Sequence, residues 1–160
     1  MIELGPHNLI EFLTQTGRLA PDIAATSRAE TLSGGVSNVV MRVTVPHGDD
    51  FVVKQSRAQL RTQAAWFSQP ERIWREREVL IALQDCTPPG LVPKLLFEDR
   101  DNFLIAMEAI PREHVVWKSC LLNDEVDPSI ARQLGEVLAT IPARTAKETR
   151  LMDSLRARPR

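Results

Sequence analysis

A glycine turn and a lysine on an apolar strand are the residues of this chain best suited to chemistry. The segment 32–55 reads LSGGVSNVVMRVTVPHGDDFVVKQ, with Gly34 and Gly35 in the turn and Lys54 near its end. Glycine lets a backbone approach a ligand closely, and consecutive N–H groups in such a turn can face an anion. A lone ammonium among the apolar residues 51–53 is costly unless an anion lies nearby. The pattern predicts a phosphate-binding site.

A carboxylate on the apolar stripe of a later helix offers Lys54 a partner. The segment Ser68–Glu71 has the sequence of a capping box with a proline in the first turn, and it predicts a helix that runs to about residue 84. At about 100° per residue, Glu76 shares a face with apolar side chains, whereas Glu78 points away. The apolar residues of that face are Ile73, Val79, Leu80 and Leu83. We expect Lys54 and Glu76 to lie within about 4 Å of each other.

The elements around these residues predict an α+β fold. An amphipathic helix is expected over Pro6–Thr16. The first of five strands is expected to begin at Thr31, and the other four are expected over 38–45, 50–55, 94–99 and 103–107. Two helices follow, over 113–122 and 127–141, the second with Asp127 as N-cap. A five-stranded antiparallel sheet with one packed helix is the architecture of a protein-kinase-like small lobe.

Composition narrows the classes of function. The 160 residues are 43% hydrophobic and 26% charged, as in an ordinary globular protein. A net charge of −1 gives no electrostatic reason to expect nucleic acid or membrane partners. Cys86 and Cys120 follow no disulfide or metal-binding pattern, so we expect a cytoplasmic protein without a metal site.

The segments described above resemble the aminoglycoside phosphotransferase/choline kinase superfamily of small-molecule kinases. LSGGVSN is similar to the family's glycine turn, VVK and REREVLIAL to its lysine strand and glutamate helix, and LVPKLLFEDRDNFLIAMEAIP to its next two strands and hinge. More narrowly, the insert with Trp66, the phrase LVPKLL and the segment EHVVWKSCLLNDEVDPSIARQLGEVLATI resemble methylthioribose kinases. Those kinases tend to carry an acidic residue and an asparagine where this chain has Gly34 and Val36.

The resemblance implies an ATP site. Lys54 would hold the α- and β-phosphates and pair with Glu76. The turn that would cover the phosphates consists of Ser33, Gly34, Gly35, Ser37 and Asn38. Val52 lies two residues before Lys54, and therefore on the same face of its strand.

The resemblance also implies how adenine would bind. Val40 and Val52 would form the apolar roof of its pocket. The hinge would be Met107–Ala109, with the Met107 carbonyl and the Ala109 N–H bonded to the adenine edge.

Family members complete catalysis with a second lobe that carries a His-x-Asp…Asn segment and a metal-binding aspartate. His47-Gly48-Asp49 imitates the first motif, but it falls in a predicted β-hairpin. We therefore expect an ATP-binding lobe that is inactive alone, with no catalytic residue and with the Mg²⁺ ligands missing. Two alternatives stay open, a non-catalytic nucleotide-binding or regulatory module and a structural remnant without a ligand.

The expected organisation has four parts. They are a helical extension over 1–30, the nucleotide-binding lobe over 31–111, a helical segment over 112–142 that leads toward an absent C-lobe, and a polar basic tail over 143–160. The expected partners are ATP and, once a C-lobe completes the enzyme, a small-molecule phosphate acceptor. The helix over 128–141 has an apolar face that the chain cannot fully bury, which predicts self-association.

Overall fold

A computed structural model of the chain describes residues 1–32, 38–57 and 69–145. Its helices are α1 (Leu9–Gln15), α2 (Pro21–Ala24), α3 (Arg72–Cys86), α4 (Trp117–Leu122) and α5 (Pro128–Thr145). Its strands are β1 (Arg28–Thr31), β2 (Asn38–Thr44), β3 (Phe51–Ser56), β4 (Leu95–Asp99) and β5 (Leu104–Glu108). The strands form one antiparallel sheet in the order β1-β2-β3-β5-β4, which confirms the expected fold class.

One face of the sheet is closed by α1 and the chain around it. Side chains alternate between the two faces of a strand, so every second residue of β2, β3 and β5 points to this side. Those buried residues are Val39, Met41, Val43, Phe51, Val53, Leu104 and Ala106. They pack with Leu9, Phe12 and Leu13 of α1. Burying one large aliphatic side chain contributes about 1.5–3 kcal/mol, so this layer is the main hydrophobic core.

Gln55 ties the N-terminus to this core. Its side chain is 1% exposed, and its Oε1 accepts a hydrogen bond from the Leu4 N–H at 3.0 Å. Its Nε2 donates to the carbonyls of Ile2 at 2.7 Å and Asn102 at 3.0 Å. The first residues of the chain are therefore packed into the lobe.

The opposite face of the sheet carries the residues of the predicted site. Val40 pairs with Lys54 across β2 and β3, and Val52 pairs with Met107 across β3 and β5. Because directly paired residues point to the same side, these four side chains share one face. α3 contacts β3 and β5, and its Ile73 is 2% exposed.

Polar contacts fix α3 against β4. Arg77 Nε lies 2.5 Å from Glu98 Oε2, and Gln84 Nε2 donates to the Pro93 carbonyl at 2.8 Å. Burial raises the pKa of Glu98, but the hydrogen bond and charge of Arg77, with those of Arg100, outweigh it and hold that pKa below the usual 4.5. Glu98 therefore stays ionised and paired at neutral pH.

The predicted starts of the first strand and of the helix expected from Glu113 are wrong. The first strand begins at Arg28, because Arg28–Thr31 pairs with Thr44–Met41 of β2. The helix expected from Glu113 begins at Trp117 instead. Its N-cap, Val116, is extended at φ −79° and ψ 111°, a conformation that a β-branched residue adopts readily.

The start of α3 also differs from the expectation. The helix begins at Arg72, with Glu71 as N-cap and no side-chain cap bond, and Pro70 lies in the preceding turn. Ser68, the expected cap, lies outside the described residues. Val79 is 37% exposed, not buried. It lies about 120° around the helix from Ile73, beyond the stripe that the sheet covers.

The C-terminal part of the described chain agrees better with the expectation. Asp127 caps α5, since its carboxylate accepts the Ser129 N–H at 2.8 Å. The expected apolar face is partly open to solvent: Ile130 is 36% exposed, Leu134 43% and Leu138 57%. Within the ranges given above, no helix combines the length and the apolar character needed to cross a membrane.

Candidate functional site

The ion pair expected between Lys54 and Glu76 is present. Lys54 Nζ of β3 lies 2.5 Å from Glu76 Oε1 of α3. The two side chains are 21% and 37% exposed, and pairs this accessible contribute up to about 1 kcal/mol to folding. The main consequence of the pair is therefore to hold the ammonium in one place rather than to stabilise the fold.

The pair lies in an open cavity of about 410 Å³ between the sheet and the start of α3. Its described lining consists of Asn38, Lys54, Ser56, Arg72, Ile73, Arg75 and Glu76. Three cations and one carboxylate give the lining a positive balance, which suits a polyanion. Its volume falls within the range of about 300–1,000 Å³ typical of small-molecule sites.

The sequence reasoning missed three lining residues, Ser56, Arg72 and Arg75. Ser56 follows Lys54 by two positions, and strand alternation alone would have placed both on one face. Arg72 precedes Glu76 by four positions, which is the spacing of neighbours on a helix surface. Both signals were therefore present in the sequence.

The predicted phosphate-covering turn is described only at its edges. Ser33, Gly34, Gly35 and Ser37 lie outside the described residues. Asn38, the first residue of β2, lines the cavity and pairs with Ser56. The Leu32 N–H donates to the Val40 carbonyl at 2.8 Å, so the chain on either side of the turn is hydrogen-bonded together.

The predicted adenine roof has a suitable surface. Val40, Val52 and Met107 are half-buried, and they share the sheet face of Lys54. The structure therefore brings these apolar side chains to one side of the lysine. Their contact with adenine stays a prediction.

The predicted hinge is already hydrogen-bonded within the sheet. The Ala109 N–H donates to the Asp50 carbonyl at 3.3 Å, and the Glu108 N–H donates to the Lys94 carbonyl at 2.9 Å. A bond from the Ala109 N–H to adenine would have to replace the one to Asp50. The hinge role of Met107–Ala109 stays a prediction.

The part of the chain that the structure describes contains no preformed group of metal ligands. Three or more His, Cys, Asp or Glu side chains do not converge anywhere within those residues. The charge that the described cavity does offer is positive, from Lys54, Arg72 and Arg75.

A five-stranded antiparallel sheet, with a lysine of the third strand paired to a glutamate of a packed helix, defines a protein-kinase-like small lobe. The sequence profile of the phosphotransferase enzyme family matches residues 28–160. The chain belongs to this family, as the sequence resemblance indicated.

Individual relatives agree with the narrower resemblance. They include the methylthioribose kinases of Yersinia pestis (strain Pestoides F), Yersinia pestis bv. Antiqua (strain Angola) and Yersinia pseudotuberculosis serotype O:1b (strain IP 31758). Each is 28% identical over 132 residues, a match that covers 81% of this chain and 32% of the relative. The chain thus spans about a third of the length of these relatives.

Proposed function

We propose that this chain is the ATP-binding N-terminal lobe of a small-molecule kinase of the methylthioribose kinase type. The observation that carries the proposal is the Lys54–Glu76 pair inside a cationic cavity at the sheet surface. A kinase needs such a lysine to hold the nucleotide phosphates and such a glutamate to aim it.

Each part of the cleft binds a different part of ATP. Lys54 binds the α- and β-phosphates, while Asn38 and the backbone of the preceding turn cover them. Arg72 and Arg75 add positive charge to the same cavity. Val40 and Val52 enclose the adenine. Mg²⁺ bound with ATP would help to neutralise the charge of the phosphates that these residues hold.

We further propose that these 160 residues alone transfer no phosphate. The base and the metal ligands of such kinases lie on a second lobe, and this chain spans about a third of the length of the relatives it matches. The acceptor in the complete enzyme is a sugar of the methylthioribose type. The free thiols of Cys86 and Cys120 support a reducing, cytoplasmic setting.

Calorimetric titration of the chain with ATP and Mg²⁺, beside a phosphate-transfer assay, tests the proposal. We expect saturable ATP binding and no transfer to methylthioribose, choline, homoserine or an aminoglycoside. Turnover near the ordinary ~1–100 s⁻¹ of kinases would contradict the proposed inactivity. Failure to bind ATP even at millimolar concentration would favour a structural remnant.

A second arm separates a kinase lobe from a regulatory module. The chain is mixed with a polypeptide that comprises the C-terminal two-thirds of a methylthioribose kinase. Restored transfer to methylthioribose supports the kinase lobe. ATP binding without restored transfer favours the module.

A further inference from the structure

Arg42 is a buried cation on the face of the sheet that carries Lys54. Its partner across β2 and β3 is Val52, one pair along from Val40 and Lys54 on the same face. The residue is only 8% exposed, although it interrupts the apolar run 39–43 of β2. Burying a guanidinium is costly unless its donors are satisfied, so its contacts show what it holds.

Arg42 connects the β2–β3 hairpin to the chain that follows β5. Its Nε lies 2.8 Å from Asp50 Oδ2, and its Nη1 donates to the Ile110 carbonyl at 3.1 Å. Asp50 also accepts the Val45 N–H through Oδ1 at 3.0 Å, and its own carbonyl accepts the Ala109 N–H. The pair therefore fixes the peptide groups of residues 109 and 110 directly.

Arg112 extends this network along the same exit segment. Its guanidinium lies 3.0 Å from Glu30 Oε1 and 3.3 Å from Asp50 Oδ2, and it also donates to Thr44 Oγ1. Residues 109–112 are thereby tied to β1, to β2 and to the hairpin before β3. Because Arg42 pairs with Val52 across the strands and donates to the Ile110 carbonyl, this segment begins near the Val52 end of the apolar roof.

We infer that Arg42 and Asp50 are positioning residues that set the adenine end of the cleft by holding residues 109 and 110 against the roof. The inference rests on the proposed ATP site. A planar guanidinium can donate to Asp50 and to a carbonyl in two fixed directions, which a lysine ammonium cannot reproduce on its flexible stem. A buried pair is weak evidence for stability, since apolar side chains of similar size often replace it without loss. Its directional hold on the backbone is the more specific consequence.

The test separates the adenine end from the phosphate end of the cleft. Arg42→Gln, Arg42→Lys and Asp50→Asn are compared with Arg100→Gln, which removes a 65% exposed arginine paired to Glu98 on the far strand. Calorimetry gives the affinity for ATP and for inorganic tripolyphosphate. Amide hydrogen exchange gives the protection of Ala109.

We expect Arg42→Gln and Asp50→Asn to weaken ATP binding about tenfold or more, with tripolyphosphate binding changed by less than about twofold. Arg42→Lys should lower the affinity for ATP at least about threefold. Amide hydrogen exchange at Ala109 should accelerate in all three variants. Arg100→Gln should match the wild type in each measurement. If Arg42→Gln does not fold, Arg112→Gln removes a half-exposed part of the network and should shift ATP binding in the same direction.

Two results would overturn the inference. One is an equal loss for ATP and tripolyphosphate, which indicates general damage to the lobe. The other is unchanged Ala109 exchange with unchanged ATP affinity. A Lys54→Met variant that binds ATP as the wild type does would refute the proposed ATP site itself, whereas ATP binding that depends on Lys54 and not on Arg42 refutes only this inference.

Discussion

The substitution Lys54→Met is expected to abolish most ATP affinity while leaving the fold almost unchanged. Methionine has an unbranched apolar side chain only one atom shorter than that of lysine, so the substitution removes little besides the charge and its hydrogen bonds. Glu76 is then left without its partner, but its side chain is 37% exposed and water can solvate it. The free energy of unfolding should fall by no more than about 1 kcal/mol, or about 2–4 °C in Tm.

The loss of binding should be larger than the loss of stability. Two unit charges 4 Å apart attract by about 4 kcal/mol at the effective dielectric constant of about 20 found near protein surfaces. Lys54 is 21% exposed, so binding also removes some water from its ammonium, and Glu76 shields part of its charge. A net loss of about 2–3 kcal/mol remains, which corresponds to roughly 30–150-fold in Kd.

Calorimetric ATP titration and thermal unfolding measure the two quantities on the same samples. Lys118→Met is the matched control, because Lys118 is exposed on α4 and does not line the cavity. It removes the same charge from the chain without touching the cavity. Equal ATP affinities for the two variants would refute the reasoning, since only the charge of the whole chain would then matter.

Three further outcomes follow from packing and charge. Burial raises the pKa of Asp50, but the hydrogen bonds from Arg42 and the Val45 N–H and the charges of Arg42 and Arg112 outweigh it and hold the pKa below 3.8. The wild type should therefore be more stable than Asp50→Asn by its full margin above about pH 5, and this margin should shrink as pH falls through the folded-state pKa. Urea unfolding at several pH values measures it. Gln55→Ala should lower the free energy of unfolding by about 2–4 kcal/mol in the same assay, because it leaves buried backbone groups without partners. A loss below about 1 kcal/mol would contradict that account. The open face of α5 should make the chain self-associate at high concentration, and light scattering should find Leu134→Asp more monomeric than the wild type; a wild type that is monomeric throughout would argue against this.

The sequence predicted the parts of this lobe that depend on periodicity. Strand alternation placed Val52 with Lys54, and helical spacing turned Glu76 toward that lysine, because both patterns operate along one element. The same reasoning could not assign Arg42. Its partners are an aspartate across a hairpin and the carbonyl of Ile110, which is 68 residues away in the chain. Such a contact depends on strand order, and no local pattern reports it.

Element ends were predicted less well for a similar reason. β1 begins at Arg28 because β2 is long enough to pair with it, which is a property of the partner strand. Val79 lies outside the buried stripe of α3 because the sheet covers only part of the helix. Both outcomes are set by what a segment packs against rather than by its own residues.

The way α3 is attached gives the two sides of the sheet different sensitivities to salt. α3 fully buries only Ile73 and Cys86, and the charged contacts of Glu76 and Arg77 are part of what holds it to the sheet. Mobile ions screen partly exposed charges, and at 1 M salt the Debye length falls to about 3 Å. The layer beneath α1 is apolar and has no such dependence. Raising the ionic strength should therefore weaken the charged contacts that position Lys54 more than it weakens the apolar layer beneath α1.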